Sequence, residues 1–138
     1  MRVFLDANVL FSAAYRETGS VRAYFALAAA GACTLVTSGY AVDEARRNIR
    51  AKHPDRSREL ELLVGRTVIC REPASETLAW AASHRLPPKD APILAAAIDA
   101  RCHLLVTGDR THFGPLYEHK LRGTVVVTPA DGIALLIG

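Results

Sequence analysis

Short, uninterrupted apolar runs alternate along this chain with longer stretches whose apolar residues recur at helical spacing. The runs Val3-Phe4-Leu5, residues 34–37, Val68-Ile69, Leu104-Leu105-Val106 and Val125-Val126-Val127 read as five strands. Between them, Ser20 is placed to cap a helix running to residue 30, where Gly31 stops it. Ser38 opens a helix carrying Arg46 and Arg47, and a further helix spans 55–64 and ends at Gly65. Residues 75–84 are helical, Pro87-Pro88 forces an extended connection, and Pro92 suits the first turn of a helix over 93–100. A last helix covers 129–136.

Strands that are apolar throughout, with helices between them, are strands buried on both faces. The expected fold is therefore α/β: a three-layer α/β/α sandwich around a central, mostly parallel sheet of about five strands, Rossmann-like in plan. At 138 residues, half of them apolar, the chain supports a single domain, 1–138, with a core that needs no disulfides. No repeat or linker divides it. Cys33, Cys70 and Cys102 are odd in number and form no CxxC pair, which excludes a zinc knuckle and leaves three small hydrophobes in a reducing compartment. The most apolar stretch, 23–36, is too short to cross a bilayer, and the N-terminus lacks the pattern of a secretory signal. A cytoplasmic protein with no membrane contact is expected.

The net charge of +3 is too small for a chain that coats nucleic acid, but its distribution is uneven. Between Asp43 and Arg58 lie six basic residues against three acidic ones, which accounts for the whole excess. In an open parallel sheet, ligands bind beyond the carboxyl ends of the strands. Asp6 follows the first strand directly, and Asp109 follows the fourth by way of Thr107 and Gly108. Asp90 stands before a helix apolar on nearly every side, and hence central. Glu44 lies in the helix after the second strand. All four carboxylates belong at the same edge.

Two like charges about 4 Å apart repel by about 4 kcal/mol at an effective dielectric near 20. Several such pairs would rival the stability of a whole domain, so the cluster needs protons or a cation. Carboxylate oxygens without Cys or His ligands favour Mg2+ or Mn2+ over zinc. An ion held this way activates water and braces a phosphoryl oxygen; with an arginine-rich helix nearby, this points to phosphodiester hydrolysis.

Simpler readings exist for each residue. Asp6 and Asp90 can be helix caps, and Asp109 a turn residue. On the helix after strand two, Val42, Ala45 and Ile49 form the buried stripe, and periodicity does not decide whether Asp43 or Glu44 turns inward. Asp43 has Arg46 and Arg47 at ion-pair spacing. Asp99, half a helical turn round from Asp90, belongs on the surface. Arg46, Arg47 and Arg50 can form a solvated face, whereas Lys89 and Arg110 adjoin proposed ligands and are better placed to meet phosphate. The five histidines show no ligand spacing and read as solvated or structural. No GxGxxG, GxxxxGK or GxSxG motif is present, which removes dinucleotide, Walker-type and serine-hydrolase readings.

Four segments taken together, Val3-Phe4-Leu5-Asp6-Ala7-Asn8-Val9-Leu10, Asp43-Glu44-Ala45-Arg46-Arg47-Asn48-Ile49, Lys89-Asp90-Ala91-Pro92-Ile93-Leu94-Ala95-Ala96-Ala97 and Leu105-Val106-Thr107-Gly108-Asp109, resemble the PIN domain. The likeness is strongest to the small stand-alone PIN proteins of bacteria and archaea, VapC-like ribonucleases that act as toxins of toxin–antitoxin pairs. It covers essentially the whole chain, in order and spacing. The resemblance implies that Asp6, Glu44, Asp90 and Asp109 are catalytic and hold one or two Mg2+ or Mn2+ ions, and it resolves Glu44 from Asp43. Asn8 and Thr107 match polar positions beside the acids, and Arg46, Arg47, Lys89 and Arg110 are candidates for substrate phosphate. It further implies cleavage of single-stranded RNA by activated water, a homodimer, and an antitoxin protein that silences the acidic groove.

Two other functions fit the residues alone. An aspartate-based phosphatase or receiver-like domain would use Asp6, although the phosphatase pattern wants a second Asp where Asn8 stands. A non-catalytic module would use the acidic crevice to dock a basic peptide.

Overall fold

The computed structural model describes all 138 residues. Its sheet has six strands: β1 (Arg2–Leu5), β2 (Thr34–Ser38), β3 (Val68–Cys70), β4 (Leu104–Val106), β5 (Lys120–Leu121) and β6 (Thr124–Val127). They lie in the order β3-β2-β1-β4-β6-β5, parallel throughout except for β5, which runs antiparallel to β6. The sequence pattern accounts for five of these. The sixth, a two-residue edge strand, is closed by a turn with Arg122 and Gly123 both at positive φ, and two residues carry no periodicity to read.

Helices α1 (Ala7–Tyr15), α2 (Ser20–Ala29), α3 (Gly39–Lys52), α4 (Ser57–Val64), α5 (Ser75–Ala82), α6 (Ala91–Asp99), α7 (Arg110–Phe113) and α8 (Pro129–Ile137) surround the sheet. Helix α1 packs on α3 and α4, α2 on α8, and α5 on α6. The centre of the sheet is thereby covered on both faces: β4 is buried at every position, and Val3, Phe4 and Leu5 of β1 are wholly inaccessible, while the edge strand β3 leaves Val68 and Ile69 about half exposed. The expected α/β sandwich is what forms.

Local chemistry explains the helix starts. Ser38 accepts from the Ala41 amide at 3.2 Å, as its position predicts. Ser20 does not cap α2; it is the first helical residue, and Gly19, at φ +110°, is the cap, a conformation open to glycine. The segment 55–64 splits into a 3-10 turn (Pro54–Arg56) and α4, with Pro54 in the first turn, where its missing N–H costs nothing. Asp99 is exposed but not idle: its carboxylate accepts from the Ala74 amide and the Thr77 hydroxyl, both at 2.7 Å, and so secures the start of α5. All three cysteines are free, with Cys33 and Cys102 buried. No helix is long and apolar enough to cross a membrane.

The order of strands matters for the site. From β1 the chain winds outward through β2 to β3, then returns to place β4 on the other side of β1 and continues to β6. The winding direction reverses between β1 and β4, so their carboxyl ends diverge and leave a crevice.

Candidate active site

Asp6 and Asp109 enter that crevice from neighbouring strands. Leu5 is paired in register with Val106, which sets Asp6 beside Thr107. Asp6 is 3% exposed and every contact of its carboxylate is accounted for: Oδ1 accepts from the Ala7 amide at 2.6 Å, and Oδ2 accepts from the Thr107 hydroxyl at 2.8 Å and the Asn8 side-chain amide at 3.1 Å. It caps α1 and is also clamped toward the crevice. Asn8 returns to Gly108, whose amide donates to its Oδ1 at 2.8 Å, tying the ends of β1 and β4 together. Thr107 is held in turn, its hydroxyl accepting from the Asp109 amide at 3.1 Å and its carbonyl from the Tyr117 hydroxyl at 2.8 Å.

The other acids arrive from the helices. Asp90 precedes α6 but makes no capping bond, so its carboxylate is free to face the crevice. The Tyr40 hydroxyl, from the start of α3, donates to the Lys89 carbonyl at 2.6 Å and draws α3 toward this loop. Glu44, one turn further on, faces the crevice, while Asp43 points elsewhere and pairs with Arg46 at 3.6 Å. Asp109 caps the short helix α7, accepting from the His112 amide at 3.0 Å, and still lines the crevice. Asp6, Asn8, Glu44, Lys89, Asp90 and Asp109 thus share the walls of one cavity of about 330 Å³.

Four carboxylates face one lysine there. Burial pushes the Asp6 carboxyl up to about 6, opposed by its hydrogen bonds to Thr107 and Ala7 and reinforced by the charges of Glu44 and Asp90. Burial also raises Asp90; His112 and Lys89 counter this, while Asp109 adds to it. Both shifts mark a site that resists holding its negative charges without a counter-ion.

One residue of the cluster is absent from the sequence-derived set. His112, which the sequence presents as solvated or structural, has its Nδ1 2.9 Å from Asp90 Oδ2 and 2.9 Å from Asp109 Oδ2. Neither contact lies along an N–H···O direction, so Asp90 Oδ2 and His112 Nδ1 are buried and without a hydrogen-bond partner. Its spacing of three from Asp109 is the one signal the sequence offers; the contact to Asp90 spans 22 residues and exists only in three dimensions.

The basic candidates divide. Lys89 lines the cavity and Arg110 is exposed beside Asp109. Arg47 is exposed close to Tyr40. Arg46 is drawn away by a two-pronged pair with Glu61, at 3.0 and 2.7 Å, and lines a separate depression with Arg50 and Leu60. Its position is that of a structural ion pair between α3 and α4, not of a phosphate contact at the acids.

The donor set fits a divalent cation. Hard carboxylate oxygens converge from four separate stretches of chain, and two buried donor atoms, an oxygen and a nitrogen, stand unpartnered at the same point. The donor atoms of Asp90, Asp109 and His112 all lie within 4.8 Å of one another.

Comparison with known proteins bears on this arrangement. No curated protein matches the sequence. Among solved structures, VapBC2 from Rickettsia felis, bound to a DNA fragment from its promoter, is similar at a TM-score of 0.69 and 16% identity, covering 93% of this chain and 98% of that one. VapBC-1 from nontypeable Haemophilus influenzae is similar at 0.64 and 16%, covering 94% and 99%. FitAcB from Neisseria gonorrhoeae is similar at 0.61 and 20%, covering 93% and 98%. At these identities the likeness speaks to the fold. The family model for the PIN domain matches residues 2–111, a span that contains Asp6, Glu44, Asp90 and Asp109, and the chain belongs to the PIN-domain family.

Proposed function

We propose that this chain is a Mg2+- or Mn2+-dependent endoribonuclease that cleaves single-stranded RNA, and that it is the toxin of a toxin–antitoxin pair. The observation that carries the reading is the convergence of Asp6, Glu44, Asp90 and Asp109 on one crevice with buried donor atoms left unpartnered. Repulsion among acids gathered on one crevice is relieved by protons or by a bound cation, and the hard oxygen donors there suit the cation.

In this reading the four carboxylates hold one or two ions. A divalent ion bound there supplies Lewis acidity toward a phosphoryl oxygen and lowers the pKa of water. The chain does the rest. Asn8 and Thr107 fix the Asp6 carboxylate, which has accepted three hydrogen bonds and keeps lone-pair capacity toward the crevice. Glu44, on the wall and only half-buried, would take the proton of the attacking water on the oxygen it does not give to an ion; the water oxygen bonds to phosphorus as the bond to the leaving ribose oxygen breaks, and that oxygen takes a proton from solvent. Lys89 and Arg110 meet the phosphates on either side, with Arg47 further along α3.

VapBC2 and FitAB, both solved on DNA fragments, share the fold and support an antitoxin partner for this chain. The free cysteines support work in the reducing cytoplasm, and in this reading the working unit is a homodimer. The phosphatase alternative is disfavoured because Asn8 occupies the place of its second acid.

The test is cleavage of a fluorogenic single-stranded RNA by the metal-stripped protein with and without added Mn2+. Cleavage should require the ion and fall at least about 100-fold in Glu44→Gln and Asp90→Asn. Asp43→Asn should cleave normally. Metal-independent cleavage, or full activity in Asp90→Asn, overturns the proposal.

A further inference from the structure

The cluster formed by His112, Asp90 and Asp109 differs in kind from the rest of the acidic crevice. Asp90 is 8% exposed, yet its Oδ2 has no hydrogen-bond partner. The atom facing it, His112 Nδ1, is equally without one. A buried donor or acceptor left in this state is destabilising, and two of them face each other. An imidazole carries at most one proton on Nδ1 and can aim it at one acceptor. Here Nδ1 lies 2.9 Å from oxygens of two different carboxylates, aligned with neither.

That spacing has a geometric meaning. In octahedral coordination with bonds of about 2.1 Å, adjacent ligand atoms are about √2 times as far apart, roughly 3.0 Å. A tetrahedral site with similar bonds separates its ligands by about 3.4 Å. The Nδ1–Oδ2 separations of 2.9 Å match neighbouring corners of an octahedron, and all three donors fall within 4.8 Å of one another. A single cation between them would partner each atom that hydrogen bonding leaves alone. The supports are also in place: the Asp109 Oδ1 accepts from the His112 backbone amide at 3.0 Å, so the residue that supplies one oxygen sets the start of the turn that supplies the nitrogen. Phe113, wholly buried, pins that turn to the core.

We infer that His112 is a direct metal ligand through Nδ1, adding a nitrogen to the oxygens of Asp90 and Asp109 in an octahedral donor set that favours a first-row transition ion such as Mn2+ over Mg2+. The inference rests on the metal-dependent reading above and goes beyond it by naming a ligand and a metal class. Imidazole nitrogen suits transition ions better than it suits Mg2+, which prefers oxygen and keeps its water. The remaining carboxylate oxygens are ones Mn2+ also accepts, and the 2.9 Å edges disfavour a tetrahedral Zn2+.

Pulsed electron paramagnetic resonance on full-length, metal-stripped protein loaded with one equivalent of Mn2+ tests this directly, because a coordinated imidazole gives a 14N coupling. Wild type should show it, and His112→Ala and His112→Gln should not. Calorimetric titration of the same proteins should show Mn2+ affinity at least about 10-fold weaker in both variants, with Mg2+ affinity within about threefold of wild type. Melting of each variant in chelator confirms that it folds, and the wild-type spectrum needs no variant. If Mn2+ binds wild type with no nitrogen coupling, the inference is wrong and the carboxylate-held ion stands. Tighter Mn2+ binding in the variants also overturns it, since His112 would then compete with the ion. Wild type that binds neither ion at millimolar concentration overturns this inference and the nuclease reading together.

Discussion

Replacing Asp6 by Asn removes a charge that the fold resists holding. The Asp6 carboxyl titrates near 6 in the folded chain, against 3.8 for an unperturbed aspartate, with burial as the main cause. A displacement of about 2 units corresponds to about 3 kcal/mol. In metal-free protein below about pH 4, the folded and unfolded states both carry the proton, and no penalty exists. Between about pH 4 and 6 the folded chain keeps a proton that the unfolded chain has lost, so stability falls as pH rises. Above about pH 6 the full penalty remains. For 138 residues, with about 2.1 cal/mol/K of unfolding entropy each, 3 kcal/mol is about 10 °C of melting temperature. The assay is urea or thermal unfolding in chelator at half-unit steps from pH 3.5 to 8, on wild type and Asp6→Asn. Asn lacks one acceptor and adds an amide facing Thr107 and Asn8, which gives an offset that does not vary with pH. The stability difference between the two proteins should therefore move by about 3 kcal/mol in favour of the Asp6→Asn variant between pH 4 and 7. Saturating Mn2+ should abolish that movement, because the ion takes the place of the proton. Curves that run parallel across the window would refute the electrostatic account of the site.

Two further outcomes test the scaffold. Asp99→Ala removes two 2.7 Å bonds that begin α5 and should lower stability by about 1–2 kcal/mol by urea unfolding, with RNA cleavage unchanged because Asp99 lies at the far end of α6 from Asp90. Gly132→Ala would push a Cβ into the Tyr24 hydroxyl, which is held by its bond to the Pro129 carbonyl at 2.6 Å, and within 3.2 Å of a Val127 methyl. It should cost about 2 kcal/mol or more, with Tyr24→Phe restoring part of it in the double variant. A Gly132→Ala protein as stable as wild type would show that α8 can shift on α2 freely.

Several features of the molecule are legible along the chain. Apolar runs identify β1, β3, β4 and β6 and the Leu35-Val36 centre of β2; β1 and β4 are covered on both faces as such runs imply, whereas the edge strand β3 leaves Val68 and Ile69 about half exposed. The direction of a parallel sheet then sends Asp6 and Asp109 to one edge. Helix α1 is not among the predicted elements, although Val9, Leu10, Ala13 and Ala14 carry its buried stripe; its nine residues follow β1 so closely that its apolar positions merge with those of the strand.

What the sequence alone determined was the layered α/β plan and which acids stand at strand ends, because both follow from local periodicity and chain direction. The tertiary structure decided the membership of the site. Glu44 and Asp43 flank the same stripe, and only the docking of α3, drawn in by Tyr40 against the Lys89 carbonyl, turns one to the crevice and leaves the other with Arg46. Arg46 leaves the phosphate candidates because α4 brings Glu61 to it, and His112 joins the acids because α7 lies against the loop before α6. Periodicity fixes a side chain's angle about its own helix. Where that angle points depends on how one element packs against another, which is set by the whole core at once.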